Sequence, residues 1–320
     1  MVNPSKNVIY IFSICFLCLC TCCLIFGYLI CTDKTIYANT QVPEISLKNP
    51  GFVTCYDLNN NIDASKQTLF SIMLYGEQII QKPQINNNKE NKSCIRYILG
   101  TDRYGRDVYS RLIIGVRYTL IVSSVAVLFS LIIGICLGLL AGYFGGKTDQ
   151  LISLIISLFW SLPTILLAFV ILMSFGRNMI SIFISIGLTM WGDVARLVRG
   201  LVIYYKEQHF VQACKAMGFS HLRVMFFHIL PNISGPIWIQ ASSNFALAIL
   251  LESGLSFLGM GLQPPIPTLG NILQEQYSLA FSGKIIQAII PSIVVVLLIL
   301  SFQIITNHFR DRTNIKLNRN

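Results

Sequence analysis

The sequence predicts an all-α protein that crosses a membrane with about six helices. Two observations carry this. The 320-residue chain is 54% hydrophobic and only 12% charged, with a mean hydropathy of +0.64, whereas a soluble domain carries about 25% charged residues. Its few charges are also unevenly spread. Uncharged runs at 7–32, 118–146, 150–176, 224–251 and 285–309 each exceed the roughly 20 apolar residues that cross a ~30 Å hydrocarbon core. A sixth run, 178–192, is short and reaches span length only when extended through Val194, Ala195, Leu197 and Val198. That extension asks Asp193 and Arg196, three apart on one helical face, to pair at the headgroup level.

Residues 1–32 form a short cytoplasmic N-terminus and the first span. The apolar core follows a single positive charge, exceeds the h-region of a secretory signal and is not closed by a small-x-small site, so it reads as an uncleaved anchor. Cys15, Cys18, Cys20, Cys22, Cys23 and Cys31 lie in or at the edge of this run with no His or carboxylate among them. There cysteine acts as a small hydrophobe, since a metal site would need thiolates in hydrocarbon. Residues 33–98 turn polar, Asn-rich and aperiodic, a periplasmic and partly irregular segment whose most loop-like stretch is 84–89. Cys55 and Cys94 share it and either pair as a disulfide or stay reduced. Order resumes at Leu99-Gly100-Thr101-Asp102, where Thr101 or Asp102 caps a short amphipathic helix running through Val108 and Leu112.

The net charge of +10 does not read as a nucleic-acid footprint, because the basic residues are scattered among loops. Membrane topology accounts for it better. With both termini cytoplasmic and six spans, the cytoplasmic segments hold Lys6, Lys147, Arg196, Arg199, Lys206, Lys215, Arg223, Arg310, Arg312, Lys316 and Arg319, as the positive-inside rule asks. Arg103, Arg106, Arg111 and Arg117, placed outside just before the second run, sit against that rule.

The second and third runs meet at Ala141-Gly142-Tyr143-Phe144-Gly145-Gly146-Lys147-Thr148-Asp149. Its Gly146-Lys147-Thr148 imitates a phosphate loop, but such a loop needs a strand before it and here a long apolar helix precedes. The glycines instead let two antiparallel helices turn sharply. Pro163, Pro231, Pro236 and Pro291 lie at or within the apolar runs and predict kinks. From Tyr204 to Asn232 runs the longest polar interval assigned to the cytoplasm. In it Phe210, Ala213, Cys214 and Met217 recur at helical spacing as a narrow apolar stripe, flanked by Gln212, Lys215 and Lys206, and Gly218 follows as a C-cap. Burial of so few residues gives a few kcal/mol at ~25 cal/mol per Å2, too little to order the helix alone. It seeks either the groove of a partner or the membrane surface.

Here the chain resembles the inner-membrane permeases of dipeptide and oligopeptide ABC importers, over about residues 99–311. That family's cytoplasmic signature is Glu-Ala-Ala, three residues, Gly, then about nine residues and Ile-Leu-Pro. This chain offers Gln212-Ala213-Cys214, Gly218 and Ile229-Leu230-Pro231. Leu99-Gly100-Thr101-Asp102 with Gly105-Arg106-Asp107 and Ser110-Arg111, then Ala195-Arg196-Leu197-Val198-Arg199-Gly200, then Gly254-Leu255-Ser256-Phe257-Leu258-Gly259 through Gln263-Pro264-Pro265 look like the same family. The resemblance implies a type I, MetI-like permease domain at 99–311 with five helices, a coupling loop at about 202–231 and a cytoplasmic tail at 312–320. It also implies a coupling helix, in which Phe210, Gln212, Ala213, Cys214, Met217 and Gly218 dock into an ATP-hydrolysing subunit, followed by the Ile229-Leu230-Pro231 loop. Ala213 and Gly218 then permit close approach, while Gln212 keeps the length of the usual acid without its charge. The implied partners are a second, related permease, two ABC ATPases, a periplasmic solute-binding protein and membrane lipid. No cofactor and no catalytic step are expected in this chain.

Glu252 follows 28 uncharged residues, and a carboxylate facing lipid at mid-membrane costs about 3 kcal/mol. It is expected instead near the outer boundary, against an arginine of the partner permease, or on the solute path. A secondary transporter or channel would also show apolar spans, but it predicts ion-coupling acids or broken helices in paired halves. A membrane-embedded enzyme would need a nucleophile and base or a metal set, and His209, His221, His228 and His308 have no such spacing. The solute is left open among dipeptides, longer peptides, nickel chelates and other small molecules.

Overall fold

The computed structural model describes residues 4–57, 69–77, 92–281 and 284–317; the loop-like stretch 84–89 and the last three residues of the tail lie outside them. Among the described residues the chain is almost wholly helical. In order come α1 (Pro4–Ile30), a 3-10 turn (Pro43–Ile45), β1 (Phe52–Asp57), α2 (Leu69–Tyr75), β2 (Lys92–Tyr97) and α3 (Val108–Phe144). Then follow α4 (Gly146–Trp160), α5 (Thr164–Phe175), α6 (Met179–Lys206), α7 (His209–Ala216), α8 (His221–Arg223), a π-helical turn (Val224–Ile229), α9 (Leu230–Phe257), α10 (Leu269–Ala280) and α11 (Ile285–Leu317).

By length and composition α1, α3, α6 and α11 can cross a membrane, and α4 with α5 makes a fifth span broken by a 97° bend. Pro163 stands at that break, as the N-cap of α5, where its missing N–H ends the preceding helix. The short run at 178–192 is part of α6, and the remaining expected span, 224–251, falls on the π-helical turn and α9. The 28 residues of α9 are long enough, but Gln240, Ser242, Ser243 and Asn244 dilute its apolar character below that of the others.

The headgroup pairing expected of Asp193 and Arg196 is replaced by a shared aromatic partner. Asp193 accepts a hydrogen bond from the indole of Trp160, and the Arg196 guanidinium lies 3.5 Å from the centroid of the same ring. A flat ring between an acid and a base satisfies one by its N–H and the other by its π face.

The chain divides into two compact units, one of residues 1–14, 122–252 and 298–320, the other of 15–121 and 253–297. In the first, α3 lies against α6 through Gly134, Gly138 and Gly142. A Cβ on these glycines would come within 2.5, 2.7 and 2.7 Å of the Cβ atoms of Val194, Val198 and Val202, so their absent side chains set how closely the helices approach. Gly145 and Gly146 take φ of +67° and +55° in the turn to α4, the conformation that glycine adopts without strain. The helix preceding this turn rules out the strand a phosphate loop requires. Asp149 and Arg199 tie the start of α4 to α6 through a two-point ion pair, Nη2 to Oδ2 at 2.7 Å.

In the second unit, Tyr28, Cys31, Ala38, Ile113 and Ile114 form a buried cluster. β1 pairs antiparallel with β2, and a disulfide joins Cys55 to Cys94 across the pair. The expected short amphipathic helix is absorbed into α3, a single 37-residue helix. Neither Thr101 nor Asp102 caps it. Asp107 does, accepting from the backbone N–H of Tyr109 and Ser110 at 3.2 and 3.3 Å, because Asp102 is spent closing the preceding turn on the N–H groups of Tyr104 and Arg106, both at 2.9 Å. Three of the four arginines that sit against the charge rule are neutralised or hydrogen-bonded here. Arg106 pairs with Asp102 at 2.6 Å and Glu275 at 2.5 Å, Arg111 pairs with Glu275 at 3.0 Å, and Arg117 donates to the carbonyls of Met73 and Leu74 at 3.0 and 2.9 Å.

Candidate functional site

The helix expected to dock is α7, in the first unit, and its ends are set by the sequence around it. The Met217 N–H donates to the Ala213 carbonyl at 3.0 Å, that of Gly218 to Lys215 at 3.0 Å and that of Phe219 to Cys214 at 3.1 Å. With Gly218 at φ +76°, the last two bonds are those of a Schellman motif, which satisfies carbonyls the helix itself leaves open.

Which face of α7 is buried differs from the sequence expectation. The stripe Phe210, Ala213, Cys214, Met217 is not buried as a unit: Val211 and Cys214 anchor the helix, while Phe210, Ala213 and Met217 are exposed. Cys214 belongs to both faces by position, and the neighbours choose Val211 because α7 packs on the π-helical turn and the end of α6. The Phe210 ring meets that of Tyr205 edge-on, with 6.3 Å between centroids. Gly218 is exposed, and nothing lies within 4 Å of the place a side chain would occupy. Exposed Phe210, Ala213, Met217 and Gly218 therefore form a continuous, small and apolar outer surface. The Gln212 amide donates to the Glu207 carbonyl at 3.1 Å, so this uncharged side chain is held against the turn that joins α6 to α7.

The surroundings of α7 are tied together by rings. The Tyr143 hydroxyl meets His221 Nδ1 at 3.0 Å, and the Lys215 ammonium lies 5.5 Å from the Tyr143 centroid. Phe219 stacks on His228 at 5.6 Å and carries the Arg223 guanidinium on its ring at 4.4 Å. These contacts link α7 to the C-terminal end of α3 and to the root of α9. Ile229 is fully buried, Leu230 partly and Pro231 exposed. The triplet is helical and not the expected loop: Ile229 ends the π-helical turn and Leu230 and Pro231 open α9, with the Leu230 N–H reaching the carbonyl of Met225. A wide turn just before proline is where a helix accommodates the missing N–H and bends.

Glu252 is 1% exposed and engaged within the chain; it does not face lipid. Among the described residues no group of His, Cys, Asp and Glu is arranged to hold a metal ion. The sequence missed Val211 as the anchor of α7, since a lone β-branched residue beside a stripe carries no signal of its own. It also missed Glu275, which only the fold brings to Arg106 and Arg111.

A family model described as "Binding-protein-dependent transport system inner membrane component" matches residues 134–315, a span that contains α7 and the Ile229-Leu230-Pro231 triplet. Among curated proteins, the chain is 37% identical over 217 residues to the dipeptide transport system permease protein DppC of Lactococcus lactis, covering 68% of this chain and 63% of that protein, less than two thirds of its length. It is 38% identical over 231 residues to DppC of Alkalihalophilus pseudofirmus, covering 72% and 76%. It is 35% identical over 222 residues to the glutathione transport system permease protein GsiD of Pectobacterium atrosepticum, covering 68% and 72%. Among solved structures, a chain of the inward-facing MetNI methionine ABC transporter superposes with a TM-score of 0.51 at 20% identity, over 63% of this chain and 95% of that one.

Proposed function

The chain belongs to the binding-protein-dependent transport system inner membrane components, and from that membership we propose that it is the permease subunit of an ATP-driven importer of short peptides. It has the fold of an ABC importer permease and is a multi-pass inner-membrane protein. The observation that carries the reading is the family match itself, which runs through every element around α7. The peptide cargo is supported by the names of the relatives, which are dipeptide permeases in two of the three organisms cited.

In this reading one of two ATPase subunits seats on the exposed surface of Phe210, Ala213, Met217 and Gly218, a solute-binding protein delivers the peptide outside, and a second, related permease completes the pathway and receives the other ATPase. Closure of the ATPases pushes α7. Its ring contacts to the ends of α3 and α9 carry that push into the spans, which alternate between outward and inward openings. The apolar surface supplies docking without the charge that Gln212 lacks, and Lys215 and Arg223 beside it offer cations to an acidic rim. Both termini and α7 are cytoplasmic, and residues 33–98 are outside. The disulfide between Cys55 and Cys94 supports that side, since such bonds persist in oxidising compartments.

The test is reconstitution. ATP hydrolysis and uptake of a labelled dipeptide should appear when the chain is combined in vesicles with its ATPases, binding protein and second permease. Uptake that persists without any ATPase and follows an ion gradient would sink the proposal in favour of a secondary transporter.

A further inference from the structure

Within the second unit a cavity of about 290 Å3 opens between the 102–106 turn and α10, lined by Asp102, Arg103, Tyr104, Arg106, Gln274 and Glu275 among others. We propose that it receives the free carboxylate end of a short peptide, a reading that rests on the peptide-import function above. Ligand pockets run from about 300 Å3 upward, so this one takes one end of a molecule rather than the whole of a long one.

The floor of the cavity is built from charges that hold one another. Arg106 is 3% exposed and donates Nε to Asp102 at 2.6 Å, Nη1 to Asn39 at 3.3 Å and Nη2 to Glu275 at 2.5 Å. Its guanidinium also lies 4.6 Å from the centroid of Tyr104. Arg111, 2% exposed, reaches the same carboxylate at 3.0 Å. Both of those bonds fall on Oε2 of Glu275, so its other oxygen, Oε1, remains available as an acceptor on a side chain still 26% exposed.

Two acids and two arginines balance. Arg103 does not enter that balance: it is exposed at the rim and joins none of the ion pairs among the described residues. The site therefore offers one uncompensated cation beside one fixed acceptor. An ammonium ligand would meet three guanidiniums against two carboxylates, both already bonded to arginine, and be repelled. A carboxylate would settle on Arg103, with bidentate geometry open to it, and a neutral donor adjoining it would suit Glu275 Oε1. The terminal carboxylate of a peptide and the amide N–H of its last peptide bond supply that pair. The acceptor stays fixed while the ligand enters, because two buried guanidiniums already orient the Glu275 carboxylate, and such preorganisation lowers the cost of binding.

The experiment uses the purified full-length chain in nanodiscs, without ATPases, and measures equilibrium binding of N-acetyl-dialanine and of its C-terminal amide. The acid is expected to bind and the amide to bind at least about tenfold more weakly, the loss of one charge-assisted contact. Arg103→Gln should remove that preference, Arg103→Lys should restore part of it, and Arg177→Gln, at an exposed site outside the cavity, should leave it intact. Arg103 holds no ion pair, so its replacement spares the fold. Equal binding of acid and amide, a preference that survives Arg103→Gln, or an equal loss on Arg177→Gln would each overturn the site. Failure of the import reading looks different: this binding persists while the assembled transporter takes up no peptide.

Discussion

Gly218 separates what the chain needs from what a partner would need. The residue holds φ at +76°, a region that costs an L-residue roughly 1–2 kcal/mol, and it anchors the two bonds from Gly218 and Phe219 that close α7. Gly218→Ala should therefore loosen the last turn, raising amide exchange across residues 211–216 by about 5- to 30-fold, the equivalent of that free energy. Asparagine tolerates the left-handed region better, so Gly218→Asn should raise it less. Size, by contrast, meets nothing: no atom lies within 4 Å of an added Cβ. Gly218→Trp should match Gly218→Ala in exchange and in thermal stability, while ATP-driven uptake in reconstituted vesicles falls to background only for tryptophan. Faster exchange in Gly218→Trp than in Gly218→Ala would show that the position is packed within the chain. Wild-type uptake by Gly218→Trp would show that no ATPase approaches this face.

Other outcomes follow from the same structure. Gly134→Leu should lower the thermal midpoint in detergent, because even its Cβ would sit 2.5 Å from Val194 and overpacking costs about 1–3 kcal/mol; Gly200→Ala, with nothing within 4 Å, should leave the midpoint unchanged or raise it. The Cys55–Cys94 bond closes a sequence separation of 39 residues, worth about 4 kcal/mol by loop entropy. An impermeant reductant added outside intact cells should open these thiols to labelling and sensitise residues 52–97 to protease, and thiols reached only from the cytoplasm would reverse the assigned topology. Cys31 is 3% exposed, so its thiol should resist alkylation at pH 8 until the chain unfolds.

Much of the molecule was legible because its signals are local. Cys15, Cys18, Cys20, Cys22 and Cys23 lie on α1, where the first apolar run had put a helix. The run from 285 to 309 announced α11, and Gly218 announced the end of α7, since left-handed backbone at a helix end is written in one residue. Pro163 likewise marked the break between α4 and α5. Where the readings failed, two local solutions competed and distant residues decided. Thr101 and Asp102 are good caps in isolation, yet Asp107 caps α3 because Asp102 is committed to the turn before it. Asp193 and Arg196 have the spacing of a helical ion pair, yet Trp160 engages both.

From its residues alone the chain determined that it lives in a membrane, that its long apolar stretches are helical, and that one short helix carries too little apolar surface to stand unaided. Period, capping and hydropathy act over a few residues and need no knowledge of the rest. Tertiary structure decided which face of α7 is anchored, by packing Val211 rather than Phe210, and it brought Glu275 to Arg106 across 169 residues of sequence. Contacts of that kind depend on where the whole backbone returns, and no window along the chain contains both partners.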